Sequence, residues 1–156
     1  MSFSKIAFLG TGLMGEPMCK NLLKANLPLT VWNRTKDKTH ELENLGAEVA
    51  SSPHDAVKGA EVIITMLSDG AAVYDLIFKQ NVAENICNNA THIDMGSIGA
   101  HEAIEHSKKH IIKGINYLDA PVSGGTKGAE AGELAIMAGG KEKSFIAMQD
   151  VFTPMG

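Results

Sequence analysis

Three glycines stand at the spacing G-x-G-x-x-G in Gly10-Thr11-Gly12-Leu13-Met14-Gly15. They follow an apolar run, Ile6-Ala7-Phe8-Leu9, and precede Met18, Leu22 and Ala25, which recur at helical spacing after Met14. In isolation the pattern is weak; between a strand and an amphipathic helix it has a mechanical reading. The first glycine allows a tight turn, the second lets the backbone approach a pyrophosphate, and the third lets helix and strand pack closely. The N-terminus of the helix adds N–H groups and a positive dipole end for the anion. Gly10, Thr11, Gly12, Leu13, Met14 and Gly15 are therefore the expected dinucleotide-binding turn.

A second group lies at Trp32-Asn33-Arg34-Thr35, where the next apolar stretch, Leu29 to Trp32, ends. A domain that selects NAD places a carboxylate here for the ribose 2′-hydroxyl. The nearest acid is Asp37, further on, and the position instead carries Arg34, the only arginine of the chain. A guanidinium fork suits a 2′-phosphate, with Asn33 and Thr35 as neutral donors. The expected cofactor is NADP, with NAD the less favoured alternative. Trp32 reads either as half-buried packing or as a neighbour of the adenine.

Other chemistry-bearing groups are weaker. Glu102, His106 and His110 share one helix face at zinc-compatible spacing, but H-E-x-x-H is not met, and Lys108 and Lys109 beside them favour a solvated face. No metal site is expected. Cys19 and Cys87 are far apart in sequence, form no C-x-x-C, and read as reduced, buried thiols. The methionines read as core filler.

The elements that must hold these residues alternate. Strands are expected at 6–9, 29–32, 62–66, 91–95, 115–118 and 134–138. Helices are expected from about 14 to 25, at 39–45, about 70–80 and 100–112, and from about 141. Continuous apolar strands separated by helices predict an α/β fold, a doubly wound, mostly parallel sheet covered on both faces. Residues 123–129 read as a loop. A chain of 156 residues fits one domain, 1–156. A net charge of -4 gives no argument for nucleic acid or an anionic membrane, and no apolar run approaches a membrane span. No signal peptide is read at the N-terminus, and a cytoplasmic protein is expected.

Two separated segments then resemble one family. Phe8-Leu9-Gly10-Thr11-Gly12-Leu13-Met14-Gly15-Glu16-Pro17-Met18 resembles the N-terminal signature of the β-hydroxyacid dehydrogenases, which include 3-hydroxyisobutyrate dehydrogenase, tartronate semialdehyde reductase and glyoxylate/succinic semialdehyde reductase. Asp119-Ala120-Pro121-Val122-Ser123-Gly124-Gly125 looks like their substrate loop, and Ala129 to Leu134 continues the match. The resemblance implies a Rossmann-type domain and a role for Ser123, Gly124 and Gly125 in holding a substrate carboxylate. A hydroxyl and adjacent backbone N–H groups can form such an anion nest. It implies that Met66, Leu67 and Ser68 run under the cofactor. It also implies that Ser97, within Ile93-Asp94-Met95-Gly96-Ser97-Ile98, offers its hydroxyl to the nicotinamide ribose. Gly96-Ser97 stands where the family has Ser-Thr, and Ala100 where it has proline. 6-Phosphogluconate dehydrogenase is a relative with a similar Ser-Gly-Gly loop but a different fingerprint.

In the family the catalytic lysine and a nearby asparagine come from a helical domain beyond the Rossmann part. None of the thirteen lysines here matches that position; Lys127 and Lys141 read as surface charges. No catalytic residue is therefore assigned. The expectation is an NADP(H)-binding domain of an oxidoreductase that interconverts a short 3-hydroxy acid, or related hydroxy acid, and its semialdehyde by hydride transfer. The C-terminal helical domain is expected to be absent and this chain inactive alone, with an exposed apolar patch. The whole protein is expected to form a homo-oligomer. The rival expectation is a non-catalytic nucleotide-binding or interaction module of the same fold.

Overall fold

The computed structural model describes residues 2–156. Among these, seven strands form one sheet: β1 (Ile6–Leu9), β2 (Leu29–Trp32), β3 (Glu48–Val49), β4 (Val62–Thr65), β5 (Thr91–Asp94), β6 (Asn116–Asp119) and β9 (Gly139–Gly140). Their spatial order is β3-β2-β1-β4-β5-β6-β9. All neighbours are parallel except β6 and β9. A short antiparallel pair, β7 (Val122–Ser123) and β8 (Ala135–Ile136), stands apart.

Period-two alternation divides the apolar strand residues between two cores. In β1, Ile6 and Phe8 enter one core, whereas Ala7 and Leu9 enter the other; in β4, Val62 and Ile64 are separated from Ile63 in the same way. The first core is closed by α1 (Gly15–Lys24), which buries Met18, Cys19 and Leu22, by α7 (Glu142–Ala147), whose Ala147 packs against it, and by α8 (Gln149–Phe152), which buries Val151 and Phe152. The second is closed by α3 (Pro53–Val57), α4 (Gly70–Tyr74) and the π-helical turn Asp75–Lys79 that continues α4. Helices on both faces explain why these strands carry no polar stripe.

Local chemistry sets the helix ends. Asp69 accepts the Ala72 N–H at 2.8 Å and starts α4; Ser52 accepts the Asp55 N–H at 3.1 Å, with Pro53 in the first position of α3. α5 (Ala100–Ile112) matches its expected span. The expected helix at 39–45 divides into a 3₁₀ turn, Lys36–Thr39, and α2 (His40–Asn44).

The structure departs from expectation elsewhere too: of the strand expected at 134–138 only β8 forms, and β3, β7 and β9 were not expected. Residues 123–129 are not all loop, because α6 (Gly125–Ala131) forms there, with Asn21 of α1 donating to the Ala129 carbonyl at 2.7 Å. The histidine face of α5 is not solvated. His106 and His110 are buried against the sheet, whereas Ile104, Ile111 and Ile112 are exposed. Cys19 is buried, which pushes its thiol well up, but Cys87 is exposed. Among the described residues no helix is long and apolar enough to cross a membrane. No group of three or more His, Cys, Asp or Glu side chains among them could hold a metal ion.

Candidate dinucleotide cleft

The chain runs outward from β1 through β2 to β3, then returns to the other side of β1 to make β4. Crossovers leave β1 in opposite directions at this point, so the turns beyond its carboxyl end diverge and leave a crevice. The glycine turn follows β1, Asn33-Arg34-Thr35 follows β2, and Met66-Leu67-Ser68 follows β4. A cleft of about 490 Å³ opens between them, lined by Gly10, Gly12, Asn33, Arg34, Thr35, Met66, Leu67 and Ser68 from the expected set.

Backbone and amide bonds hold the three turns together. Gly10 N–H donates to the Trp32 carbonyl at 3.0 Å and Met66 N–H to the Leu9 carbonyl at 3.0 Å. Thr11 N–H donates to Asn33 Oδ1 at 2.9 Å, and Asn33 Nδ2 donates to the Thr35 carbonyl at 2.9 Å. Asn33 therefore spends its amide on the protein; it shapes the turn beneath Arg34. Thr11 is fully buried, and its hydroxyl donates to the Lys38 carbonyl at 2.8 Å. Arg34 and Thr35 are exposed at the rim, and among the described residues Arg34 has no ion-pair partner.

The glycines differ in what a side chain would meet. A Cβ at Gly10, whose φ is +102°, would lie 2.4 Å from the Met66 carbonyl oxygen. One at Gly15 would lie 1.9 Å from the Gly10 carbonyl oxygen, so that glycine is required where α1 crosses the turn. One at Gly12 would meet nothing within 4 Å. Gly12 thus faces open space at the helix entrance, as expected where a pyrophosphate approaches the backbone. Met14 precedes α1 without a side-chain cap hydrogen bond.

Sequence reasoning did not find the opposite wall. Ala72, Asp75, Leu76 and Gln80 line it, with Gln80 Nε2 donating to Asp75 Oδ2 at 2.7 Å. The Asp69 cap that starts this wall was the available signal. Trp32 is half-buried and also lines the cleft, which is compatible with both of its readings.

The remaining expected residues lie around this cleft, not in its lining. Leu13 is 83% exposed. Ser97 is exposed, next to a buried Gly96 whose added Cβ would meet the Leu67 carbonyl oxygen at 2.8 Å. That close approach gives a physical reason for glycine at 96. Ser123, Gly124 and Gly125 are exposed at the start of α6, with Gly124 and Gly125 at φ of +141° and +63°. Thr126 and Glu130 of that helix border a second cleft of about 460 Å³ with Gly12, Leu13 and Lys20. The Ser-Gly-Gly loop is therefore separate from the first cleft but close to the glycine turn. Lys127 and Lys141 are exposed, as expected.

Comparison with known proteins agrees with this geometry. The family described as the NAD binding domain of 6-phosphogluconate dehydrogenase matches residues 5–156. Glyoxylate/succinic semialdehyde reductase 1 of Arabidopsis thaliana is 39% identical over 97% of this chain and 53% of its own length. The mitochondrial 3-hydroxyisobutyrate dehydrogenase of Rattus norvegicus is 35% identical over 99% of this chain and 47% of its own length. The structure of Mycobacterium tuberculosis 3-hydroxyisobutyrate dehydrogenase with L-serine superposes with a TM-score of 0.95 at 35% identity, covering 100% of this chain and 53% of that one. The chain spans about half the length of the curated relatives it matches.

Proposed function

Because the chain belongs to the family of NAD binding domains of the 6-phosphogluconate dehydrogenase type, we propose that it is the NADP(H)-binding half of an oxidoreductase acting on a short hydroxy acid and its semialdehyde. The observation that carries this reading is the cleft at the switch point, where eight of the expected residues converge. The relatives' names supply the substrate class: a glyoxylate/succinic semialdehyde reductase and 3-hydroxyisobutyrate dehydrogenases.

The residues present fit such a cofactor. Gly12 leaves the backbone at the N-terminus of α1 accessible to a pyrophosphate. Arg34, exposed and without an ion-pair partner among the described residues, is free to pair with a 2′-phosphate. Leu67, Ala72 and Leu76 give the cleft an apolar wall for a flat ring. Ser97, which follows Gly96 where it approaches the Leu67 backbone, would offer its hydroxyl to the nicotinamide ribose. When bound, the cofactor supplies the hydride.

For substrate, Ser123 with the N–H groups of Gly124 and Gly125 would hold a carboxylate. None of these three can exchange a proton with the substrate hydroxyl near neutral pH, a role worth roughly 10²–10⁴-fold in rate. In this reading that group comes from outside the 156 residues. The chain alone then binds cofactor and does not turn over.

Calorimetric titration with NADPH and NADH tests the first half; tighter binding of NADPH is expected. The second half is tested by following NADPH absorbance with glyoxylate, succinic semialdehyde, tartronate semialdehyde and methylmalonate semialdehyde. Turnover by the 156-residue chain as fast as by a full-length relative would overturn it.

A further inference from the structure

One line of buried polar groups takes no part in the cleft. Thr65, His92 and Asp94 are fully buried in the sheet, and His106 and His110 reach it from α5. His110 Nδ1 lies 2.6 Å from the His106 carbonyl oxygen, and His92 Nδ1 lies 2.7 Å from His110 Nε2. Thr65 Oγ1 lies 2.8 Å from His92 Nε2 and 3.2 Å from Asp94 Oδ1.

The proton count along this line is constrained. A carbonyl only accepts, so His110 donates from Nδ1 and, when neutral, presents a bare Nε2. His92 must donate to it from Nδ1 and, when neutral, also presents a bare Nε2. Thr65 then has one proton for two acceptors. If it donates to His92, the contact between Thr65 and Asp94 becomes a hydrogen bond only when Asp94 carries a proton. The alternative is a doubly protonated His92 donating to Thr65, which donates to an ionised Asp94. That arrangement places two full charges out of water.

We propose that the line His106–His110–His92–Thr65–Asp94 is a proton-binding site, with the bound proton on Asp94 Oδ1, and that its filling repositions the Gly96–Ser97 segment. The surroundings disfavour charge on Asp94. From β4 it meets Thr65. From β6 it meets Tyr117, whose hydroxyl donates to Asp94 Oδ2 at 3.2 Å, and Asp119, its partner in strand register. From α5, His110 reaches this line through His92 and bonds the His106 carbonyl behind it, with Glu102, Glu105 and Lys109 acting on His106. Among the described residues no ion pair involves Asp94. Burial accordingly raises the Asp94 carboxyl to about 6, depresses His110 to about 4 and holds His92 well below the usual range.

Gly96 links this site to the surface. Its N–H donates to Asp94 Oδ1 at 3.3 Å, and the residue is wedged against the Leu67 carbonyl. A proton on Oδ1 makes that oxygen a poorer acceptor and loosens Gly96; its loss tightens the contact. The proton site itself does not depend on what the cleft binds. Only the consequence for Ser97 as a cofactor contact rests on the proposed function.

The test is a side-chain and amide NMR titration of the ligand-free chain between about pH 5 and 8, the range in which an ordinary aspartate stays ionised. The Asp94 carboxyl carbon should titrate with a midpoint near 6. His92 and His110 should remain neutral with the proton on Nδ1, and the Gly96 amide should shift with the Asp94 midpoint. Asp94→Asn, which offers an amide N–H where the acid has its O–H, should abolish the Gly96 shift. An Asp94 carbon ionised throughout, a doubly protonated His92, or a Gly96 shift that persists in Asp94→Asn would each overturn the proposal. If that variant does not fold, the titration of the unsubstituted chain decides alone.

Discussion

Replacing Gly12 and Gly15 by alanine in separate variants distinguishes a glycine kept for a ligand from one kept for the fold. At Gly12 the new methyl meets no protein atom within 4 Å. Its φ does not lie in the left-handed region, so alanine costs no strain there. Such a substitution leaves stability unchanged or raises it by ~0.4–1 kcal/mol through the unfolded chain. The same methyl stands in the path of the pyrophosphate. Losing one charge-assisted backbone contact costs ~1.5–3 kcal/mol, or roughly a 10- to 150-fold weaker Kd. At Gly15 the new carbon would lie 1.9 Å from the Gly10 carbonyl oxygen, a backbone atom held by the strand. α1 must move off the turn, at ~1–3 kcal/mol or more. Urea denaturation and NADPH calorimetry on both variants read the two effects separately. Gly12→Ala should unfold like the parent chain and bind poorly; Gly15→Ala should unfold early. A Gly12→Ala chain that binds NADPH with parental affinity would refute the assignment of the glycine turn.

Arg34→Ala should weaken NADPH by ~1.5–3 kcal/mol and leave NADH nearly unchanged, since only the 2′-phosphate needs the guanidinium; equal losses in calorimetry would remove that role. Asn21→Ala removes the buried bond to the Ala129 carbonyl and should cost ~1–3 kcal/mol in urea denaturation, through the packing of α1 on α6. Two shifted groups oppose each other in acid. His110, depressed by burial to about 4, contributes stability that is present above its ordinary value and lost as pH falls towards 4. Asp94, raised by burial to about 6, contributes stability that is present below its ordinary value and lost as pH rises through 6. Each amounts to roughly 3 kcal/mol at 1.36 kcal/mol per unit. Asp94→Asn removes the opposing part, so on acidification from about pH 6.5 to 4 it should lose ~3 kcal/mol more than the parent, measured by urea midpoints. Exposed Ile104, Ile111, Ile112, Phe145 and Ile146 predict self-association in sedimentation across a concentration series, and a strictly monomeric chain would count against the expected apolar patch.

Much of this architecture was legible because both faces of the sheet are covered. Ile6-Ala7-Phe8-Leu9 and Val62-Ile63-Ile64 have no polar alternation to obscure them, and the Gly-x-Gly turn lies directly after the first. The span of α5 was also legible, but its orientation was not. A face carrying His106 and His110 is polar by composition, and only the contact of His110 with buried His92 of β5 makes it an inward face. α6 was hidden by its glycines, Gly125 and Gly128, which have poor helix propensity; contact with Asn21 more than one hundred residues earlier outweighs it. β3 is two residues long and gives no period to read. In the cleft, the residues carried by the glycine turn, by the end of the second strand and by the family resemblance were found, whereas Ala72 and Leu76 stand on a helix marked only by its Asp69 cap.

The central claim is that a dinucleotide occupies the crevice between the turns after β1, β2 and β4. Amide chemical-shift mapping during an NADPH titration tests it most directly. Saturable binding of one NADPH per chain is expected, with shifts concentrated at residues 10–15, 33–35, 66–68 and 72–80 and at Ser97. Saturation without shifts at these positions, or shifts centred on the separate cleft lined by Asn88, Asn89, Asn116 and Lys143, would contradict it.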